Sequence, residues 1–222
     1  MMTRRIVLRS ILLVAAMAAG VTPALAADQT ADFFRAVQMD DARTVRSLLG
    51  KVDPNQANPV GGEPALVLAV REGAMQVFDV LLRHPGTNVD APALNGNTAL
   101  MMAAYKHNKT AAEALVAKGA AVNRPGWTPL HYAAASGDDD IARLLLAHGA
   151  RIDAQSPPAS GKFTPLMMAA REGHQDTAVF LLGQGADPQL KNGEGLTAAE
   201  IARKADHAAI ATALDKGTKS SR

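Results

Sequence analysis

Apolar residues recur along this chain in short clusters with helical spacing, and one cluster returns several times. Its clearest copy is TPLHYAA at residues 128–134. Leu130 and the two alanines that follow are three and four positions apart, so they share one face of a helix. Thr128 is a favourable N-cap, and Pro129 suits the first helical position, where its missing N–H is not needed. We therefore predict a helix here that packs closely against its neighbours through its alanines.

A second apolar helix is predicted directly after the first. Residues Asp138–Asp140 would open it, because carboxylates suit the positive end of a helix dipole, and IARLLL at residues 141–146 would continue it. Gly149 would end it, since a left-handed C-terminal position favours glycine. The pattern therefore predicts a helix–turn–helix unit.

This unit recurs at a nearly constant spacing. Copies of the first helix start at Pro64, Thr98, Thr128, Thr164 and Thr197, in steps of 34, 30, 36 and 33 residues. One unit cannot bury its own apolar face, whereas stacked units share a core. The chain is therefore predicted to be a repeat protein.

The TPLHxA signature at a period near 33 residues resembles the ankyrin repeat, as in small exported bacterial ankyrin-repeat proteins. The resemblance implies an all-α ankyrin-repeat solenoid of about six helix–turn–helix units with short hairpin turns, preceded by a signal peptide. The domain is expected at 27–216, with units at about 28–57, 58–92, 93–123, 124–157, 158–190 and 191–216, and a polar C-terminal tail at 217–222. The first unit lacks the signature, but its register places Phe33 where Leu66 falls in the second.

Three features depart from the family pattern. The turn at residues 123–126 is about three residues shorter than usual, which weakens any expectation of contacts at its tip. The turn at residues 154–161 is about three residues longer and should protrude. The signature histidine occurs only at His131, so a side-chain hydrogen-bond ladder between repeats would be incomplete.

Residues 1–26 predict a secretory signal peptide cleaved after Ala26. Arginines 4, 5 and 9 precede a short apolar run at 11–19, and small residues stand at positions 24 and 26. The run is too short to span a bilayer, which takes roughly 20 residues, although an uncleaved anchor is the alternative. The arginine pair also resembles a twin-arginine motif, so the Sec and twin-arginine routes both stay open. We expect a periplasmic protein with no stable membrane insertion after cleavage.

Charge and composition exclude several classes of function. The chain has 23 basic and 21 acidic residues; without the leader's three arginines, 20 basic residues face 21 acidic ones, a net charge of −1. Such a domain has no electrostatic reason to bind nucleic acid. Cysteine is absent, which excludes disulfides, thiolate metal sites and thiol nucleophiles.

Little in the sequence points to catalysis, and we expect no enzyme, no metal and no cofactor. Common catalytic and phosphate-binding motifs are absent, and no histidine has a second one three or four positions away on the same helix. Side chains of Asp138–Asp140 diverge by ~100° per residue, which favours helix capping over a metal site. The pairs Met101–Met102 and Met167–Met168 lie at core-facing positions, which favours packing over copper binding.

The resemblance implies a binding surface on the hairpin tips and on the concave face of the first helices. Residues just after the alanine pair and just before the signature threonine map to this surface. The predicted contact residues are Trp127, Phe163, Asn97, Gln38, Met39, Arg71, Glu72, Tyr105, Lys106, Ser136, Arg171 and Glu172. Trp127 and Phe163 stand out, since aromatic hot spots are often worth ~2 kcal/mol or more. Local packing of both rings over the neighbouring turn is the alternative.

The predicted function is therefore a non-catalytic protein–protein interaction module, a monomeric periplasmic scaffold or accessory factor that binds another protein. One alternative is an immunity or inhibitor protein that masks a toxic enzyme, for which very tight one-to-one binding is expected. Another is small-ligand binding or an enzymatic role in the cell envelope. A deep apolar pocket would favour the ligand, and convergent ionisable residues would favour the enzyme.

Overall fold

The computed structural model describes the backbone of residues 23–220 and the side chains of residues 27–217. Regular structure in this part of the chain consists of twelve α-helices, a short 3-10 helix and one isolated bridge between Leu49 and Val52. The helices are α1 Pro23–Gln38, α2 Ala42–Leu48, α3 Ala65–Glu72, α4 Met75–Arg83, α5 Ala99–Tyr105, α6 Lys109–Ala117, α7 Pro129–Ser136, α8 Asp139–Ala147, α9 Pro165–Glu172, α10 Gln175–Gly183, α11 Ala198–Lys204 and α12 Ala208–Ser220. The predicted all-α class is confirmed for these residues.

The helices form consecutive pairs, and the chain divides after Thr87 into two compact units. In the first unit, α1 packs against α3 and α2 packs against α4. In the second unit, the first helices of the pairs (α5, α7, α9 and α11) pack side by side in one layer, and the second helices (α6, α8, α10 and α12) form the other layer. Each unit is therefore a two-layered stack of helix pairs.

Small residues at the predicted positions let the first helices approach one another. Ala103, Ala133 and Ala169 are completely buried where α5, α7 and α9 meet. The first unit follows the same register, because Phe33 of α1 and Leu66 of α3 are both buried. Because alanine side chains are small, the first helices can pack with a short distance between their axes.

The helix ends predicted around the clearest repeat are confirmed. Thr128 is the N-cap of α7, and its backbone N–H donates to Nδ1 of His131 over 3.2 Å. Asp138 caps α8 by accepting a hydrogen bond from the backbone N–H of Ile141 at 2.9 Å. Gly149 follows α8 with φ of +80°, the left-handed conformation expected there.

The long turn at residues 154–161 is fixed at its base. Ser156 is buried; its N–H donates to the carbonyl of Phe163 (2.8 Å), and its hydroxyl accepts from the N–H of Phe163 (2.9 Å). The N–H of Gly193, in the next hairpin turn, donates to the carbonyl of Gly161 at 2.7 Å. Within residues 154–161, only Gln155 and the 3-10 turn Pro158–Ser160 are exposed, so the base of the insertion is held against its neighbour.

Both ends of the chain extend the helical region beyond the sequence-based boundaries. Residues 1–22 of the predicted signal peptide lie outside the described residues, and α1 begins at Pro23, so the predicted cleavage after Ala26 falls within this helix. At the other end, α12 continues to Ser220 through part of the segment interpreted as a polar tail. Cleavage after Ala26 would leave α1 beginning at Ala27.

Candidate functional site

A cavity of about 350 Å³ opens on the face of the first helices in the second compact unit. Its walls come from α5, α7 and α9, together with the turn that leads into α7. We call it the aromatic pocket, and its lining residues are Tyr105, Trp127, His131, Tyr132, Ala135, Met168, Arg171 and Glu172.

Three large rings surround the aromatic pocket at steep angles to one another. The ring centroids of Tyr105 and Tyr132 are 6.4 Å apart with planes at 88°, and those of Trp127 and Tyr132 are 6.5 Å apart at 68°. The hydroxyl of Tyr132 donates to Oδ1 of Asn97 over 2.6 Å, which fixes the central ring. Burial raises the pKa of Tyr132, so its phenol stays neutral and the pocket presents aromatic surface.

A glycine in a left-handed conformation positions Trp127. Gly126 has φ of +82°, and a Cβ at this residue would lie 3.0 Å from Cγ of Pro157 in the next hairpin turn. Asn123 ties the same short turn to its neighbour, because its Nδ2 donates to the carbonyl of Gly149 at 2.7 Å. The shortened turn is therefore held in place directly before Trp127.

The floor of the aromatic pocket is a buried, uncharged histidine. Nδ1 of His131 accepts the N–H of Thr128, so its Nε2–H donates to the carbonyl of Phe163 at 2.9 Å. Burial lowers the pKa of His131 to about 4, since a buried imidazolium would lose its hydration. The Trp127 ring lies 5.2 Å from this imidazole. His131 therefore links α7 to the next repeat and supports the tryptophan.

An ion pair forms the polar wall of the aromatic pocket. Nε of Arg171 donates to Oε1 of Glu172 at 2.8 Å, and a terminal guanidinium nitrogen lies 2.8 Å from the same oxygen. The Arg171 guanidinium carbon also lies 5.0 Å from the centroid of the Phe163 ring. Arg171 is therefore fixed by two partners, while the Glu172 side chain remains 40% exposed at the rim.

A second pocket of about 240 Å³ lies on the other side of Arg171. It is lined mainly by apolar groups of Phe163, Leu196 and Ile201, and an ion pair of 2.7 Å joins Lys204 to Glu194 at its edge. Because Arg171 lines both cavities, the aromatic pocket and the second pocket are neighbours along the same face.

The structure separates Trp127 and Phe163, which the sequence places at equivalent positions. Each ring lines a different pocket, and both rings are partly buried by local contacts while part of each stays exposed. Ser136 is tied to its own stack, since its hydroxyl donates to the carbonyl of Ala104 at 3.0 Å. Lys106 is exposed beside Tyr105.

The remaining predicted contact residues belong to the first compact unit. Gln38 and Met39 are exposed, Met39 to 75%. The Arg71 guanidinium lies 2.6 Å from Oε2 of Glu63 and 2.8 Å from Oε1 of Glu72. Arg71 is therefore held between two carboxylates, one of which is buried.

The predicted contact residues lack four residues that line the aromatic pocket: His131, Tyr132, Ala135 and Met168. Tyr132 and Met168 occupy equivalent positions in their repeats. Both follow the third helical residue of their signature, a position interpreted as core because methionines occupy it in two repeats. Met168 is indeed buried, yet part of its surface closes the pocket, and Tyr132 is half-buried with its hydroxyl on Asn97. The tyrosine itself could have indicated a surface position, because the hydroxyl of a partly buried tyrosine needs a hydrogen-bond partner.

The three consecutive aspartates diverge, as predicted. Asp138 caps α8 and faces Nδ1 of His107 at 3.2 Å, Asp139 accepts from the hydroxyl of Thr177, and Asp140 pairs with Lys109 at 3.0 Å. Within the described part of the chain, no group of three or more histidine and carboxylate side chains is arranged to hold a metal ion.

None of the helices between residues 23 and 220 combines the length and the apolar character needed to cross a lipid bilayer.

Comparison with known proteins agrees with the repeat pattern. The family model described as "Ankyrin repeats (3 copies)" matches residues 33–125, 66–156 and 121–192. Human transient receptor potential cation channel subfamily A member 1 is 34% identical over 118 residues, which is 51% of this chain and 10% of that protein. Mouse neurogenic locus notch homolog protein 1 is 37% identical over 114 residues, 50% of this chain and 4% of that protein. The chain thus spans a small fraction of these relatives, and it belongs to the ankyrin-repeat family.

Proposed function

We propose that this protein is a non-catalytic module that holds a partner protein against the aromatic pocket and the second pocket. Ankyrin repeats are generally protein–protein interaction modules. One observation supports binding at this face: both tyrosines and the only tryptophan of the whole sequence line the aromatic pocket. Tryptophan and tyrosine are enriched at the energetic centres of protein interfaces.

Packing of the domain itself does not explain this concentration of rings. Small and aliphatic side chains fill the interior of the first helices; Leu130 and Ala134, for example, are completely buried. Tyr105, in contrast, is 56% exposed and closes one side of the pocket. A large exposed ring contributes little to folding but can bury its surface when a partner binds.

We further propose that the protein acts in the periplasm as a scaffold or accessory factor. The support is the sequence of residues 1–26, with its arginines, its short apolar run and small residues at positions 24 and 26. N-terminal sequencing of protein recovered from the periplasmic fraction tests this step. We expect a mature chain that begins at Ala27; an intact Met1 in a cytoplasmic fraction would contradict export.

Affinity capture from a periplasmic extract tests the binding function. The double variant Tyr105→Ala plus Trp127→Ala removes two rings of the aromatic pocket. The matched control is Phe180→Ala, which removes a ring from the layer of second helices, away from the aromatic pocket. The guanidinium carbon of Arg143 lies 4.6 Å from the Phe180 ring, in the same kind of contact that Arg171 makes with Phe163. Circular dichroism first confirms that each variant folds.

The expected result is one partner that the wild type and Phe180→Ala retain and the double variant loses. Titration of the purified partner against each variant then shows direct binding. A partner that binds the double variant as tightly as the wild type would contradict this site. Absence of any partner for all three proteins would contradict the function.

A further inference from the structure

We propose that the aromatic pocket binds the charged end of a lysine or arginine side chain of the partner protein. The inference rests on the proposed function and specifies the chemistry that the pocket selects. It depends on three features of the second compact unit. These are the arrangement of the three rings, the Glu172 carboxylate oxygen that Arg171 does not contact, and the contacts that already hold the Arg171 guanidinium.

The rings are close enough to act together on one cation. Tyr132 stands between Tyr105 and Trp127, at centroid distances of 6.4 and 6.5 Å, and all three line the same cavity. The negative face of an aromatic ring attracts a cation within about 6 Å of its centroid. Because all three rings line one cavity, a cation bound over the Tyr132 ring also has Tyr105 and Trp127 as neighbours.

Glu172 offers a carboxylate oxygen at the rim that Arg171 does not contact. Both contacts from Arg171 reach the same carboxylate oxygen, Oε1, which leaves Oε2 to accept a hydrogen bond from a ligand. Among the described residues that line the pocket, Glu172 is the only acid. A hydrogen bond from an ammonium or guanidinium to a carboxylate is roughly twice as strong as a neutral one.

Arg171, the cationic side chain that lines the pocket, does not occupy the position proposed for the ligand's cation. Arg171 is neutralised by Glu172, and its guanidinium carbon lies over the Phe163 ring on the side of the second pocket. His131 on the floor is completely buried and uncharged at neutral pH. The charges of Arg171 and Glu172 therefore cancel, and the attraction for a cation comes from the three rings together with a direct contact to Oε2 of Glu172.

The apolar part of the wall suits the aliphatic stem of the same ligand. Met168 and Ala135 also line the pocket. Lysine and arginine bury their methylene groups along apolar surface while their charged ends reach polar partners. A purely apolar side chain would use the rings and Met168 but would make no hydrogen bond to Oε2 of Glu172.

Fluorescence of Trp127 tests the inference directly, because it is the only tryptophan in the chain. The full protein is titrated with n-butylammonium, which represents a lysine side chain, and with n-butanol, its neutral counterpart, at constant ionic strength. We expect a saturable change with n-butylammonium at millimolar concentration and at least a tenfold weaker response to n-butanol. Equal responses to both, or no saturable response to n-butylammonium, would overturn the proposal.

Four variants localise the effect while they keep the fluorophore. Glu172→Gln should weaken n-butylammonium binding several-fold, whereas Glu113→Gln, an exposed residue of α6 outside the pocket, should leave it unchanged. Tyr105→Leu should weaken binding, and Tyr105→Phe should restore it because the ring face returns. Unchanged binding in Glu172→Gln and in Tyr105→Leu would overturn the proposal.

The same variants separate this inference from the proposed function. If the captured partner needs Trp127 but tolerates Glu172→Gln and Tyr105→Leu, the protein-binding function stands and the cation inference is wrong. If n-butylammonium binds as expected but no protein partner does, the proposed function is wrong and the pocket is a site for small organic cations.

Discussion

Burial of His131 predicts a pH dependence of stability that a single substitution removes. Its pKa is lowered to about 4 from the ordinary 6.5, because burial removes the hydration of the imidazolium and this outweighs the hydrogen bond to the carbonyl of Phe163. Between these two values the unfolded chain binds a proton at this residue and the folded chain does not. The free energy of unfolding therefore falls as the pH is lowered from 6.5 towards 4.

The size of the effect follows from the shift. One pKa unit corresponds to about 1.4 kcal/mol, so His131 contributes a loss of about 2 kcal/mol by pH 5 and about 3 kcal/mol by pH 4, relative to neutral pH. A change of this size is a large part of the stability of a typical domain, about 5–15 kcal/mol.

The informative substitution is His131→Met, because methionine occupies the same position at Met101 and Met167. Sδ of Met167 lies 3.4 Å from the backbone N–H of Thr164, so a methionine sulfur can replace the acceptor that Thr128 loses. The carbonyl of Phe163 would lose its donor, at a cost of about 1–2 kcal/mol. The wild type should therefore be the more stable protein at neutral pH and the less stable one near pH 4.

Urea unfolding followed by circular dichroism at several pH values measures both proteins. Other titrating groups, such as Asp41 and Glu200 with their lowered pKa values, change both proteins alike and cancel in the difference. We expect the curves of unfolding free energy against pH to cross between neutral pH and pH 4. A difference that stays constant over this range would refute the assignment of the transition to His131.

Two further predictions concern the turns and caps that support the pocket. Gly126→Ala should destabilise the protein by about 1–2 kcal/mol because the backbone is left-handed, and by a further amount because the new Cβ would approach Pro157. Gly149→Ala faces open space and should show the backbone cost alone. Equal melting temperatures of the two variants would contradict the steric contribution. Asp138→Ala should cost about 1 kcal/mol, since it removes the N-cap of α8, and Asp140→Ala should cost less because Asp140 makes only an exposed ion pair; chemical denaturation of both variants checks the order.

Local signals explain why the helices could be predicted. The caps at Thr128 and Asp138 and the glycine at 149 each act through residues within four positions in the chain. These interactions recur with the period of the repeat, so one clear copy identifies the weaker ones. The buried Phe33 shows that the register extends to a unit without the signature.

The pocket could be predicted only in part, because contacts between repeats decide it. The sequence indicates the face that carries Tyr105, Trp127 and Arg171, but not that Arg171 turns onto Phe163 and divides two cavities. The role of Tyr132 depends on Asn97, which is 35 positions away. Such contacts need the rotamers of neighbouring repeats, which the repeat pattern does not specify.

Photo-crosslinking in living cells tests the central claim most directly. The photoreactive amino acid p-benzoylphenylalanine is placed at position 105, on the aromatic pocket, or at position 180, in the layer of second helices. We predict a discrete crosslinked product with another protein from position 105 and none from position 180. No product from position 105, or the same product from both positions, would contradict a partner-binding face at the aromatic pocket.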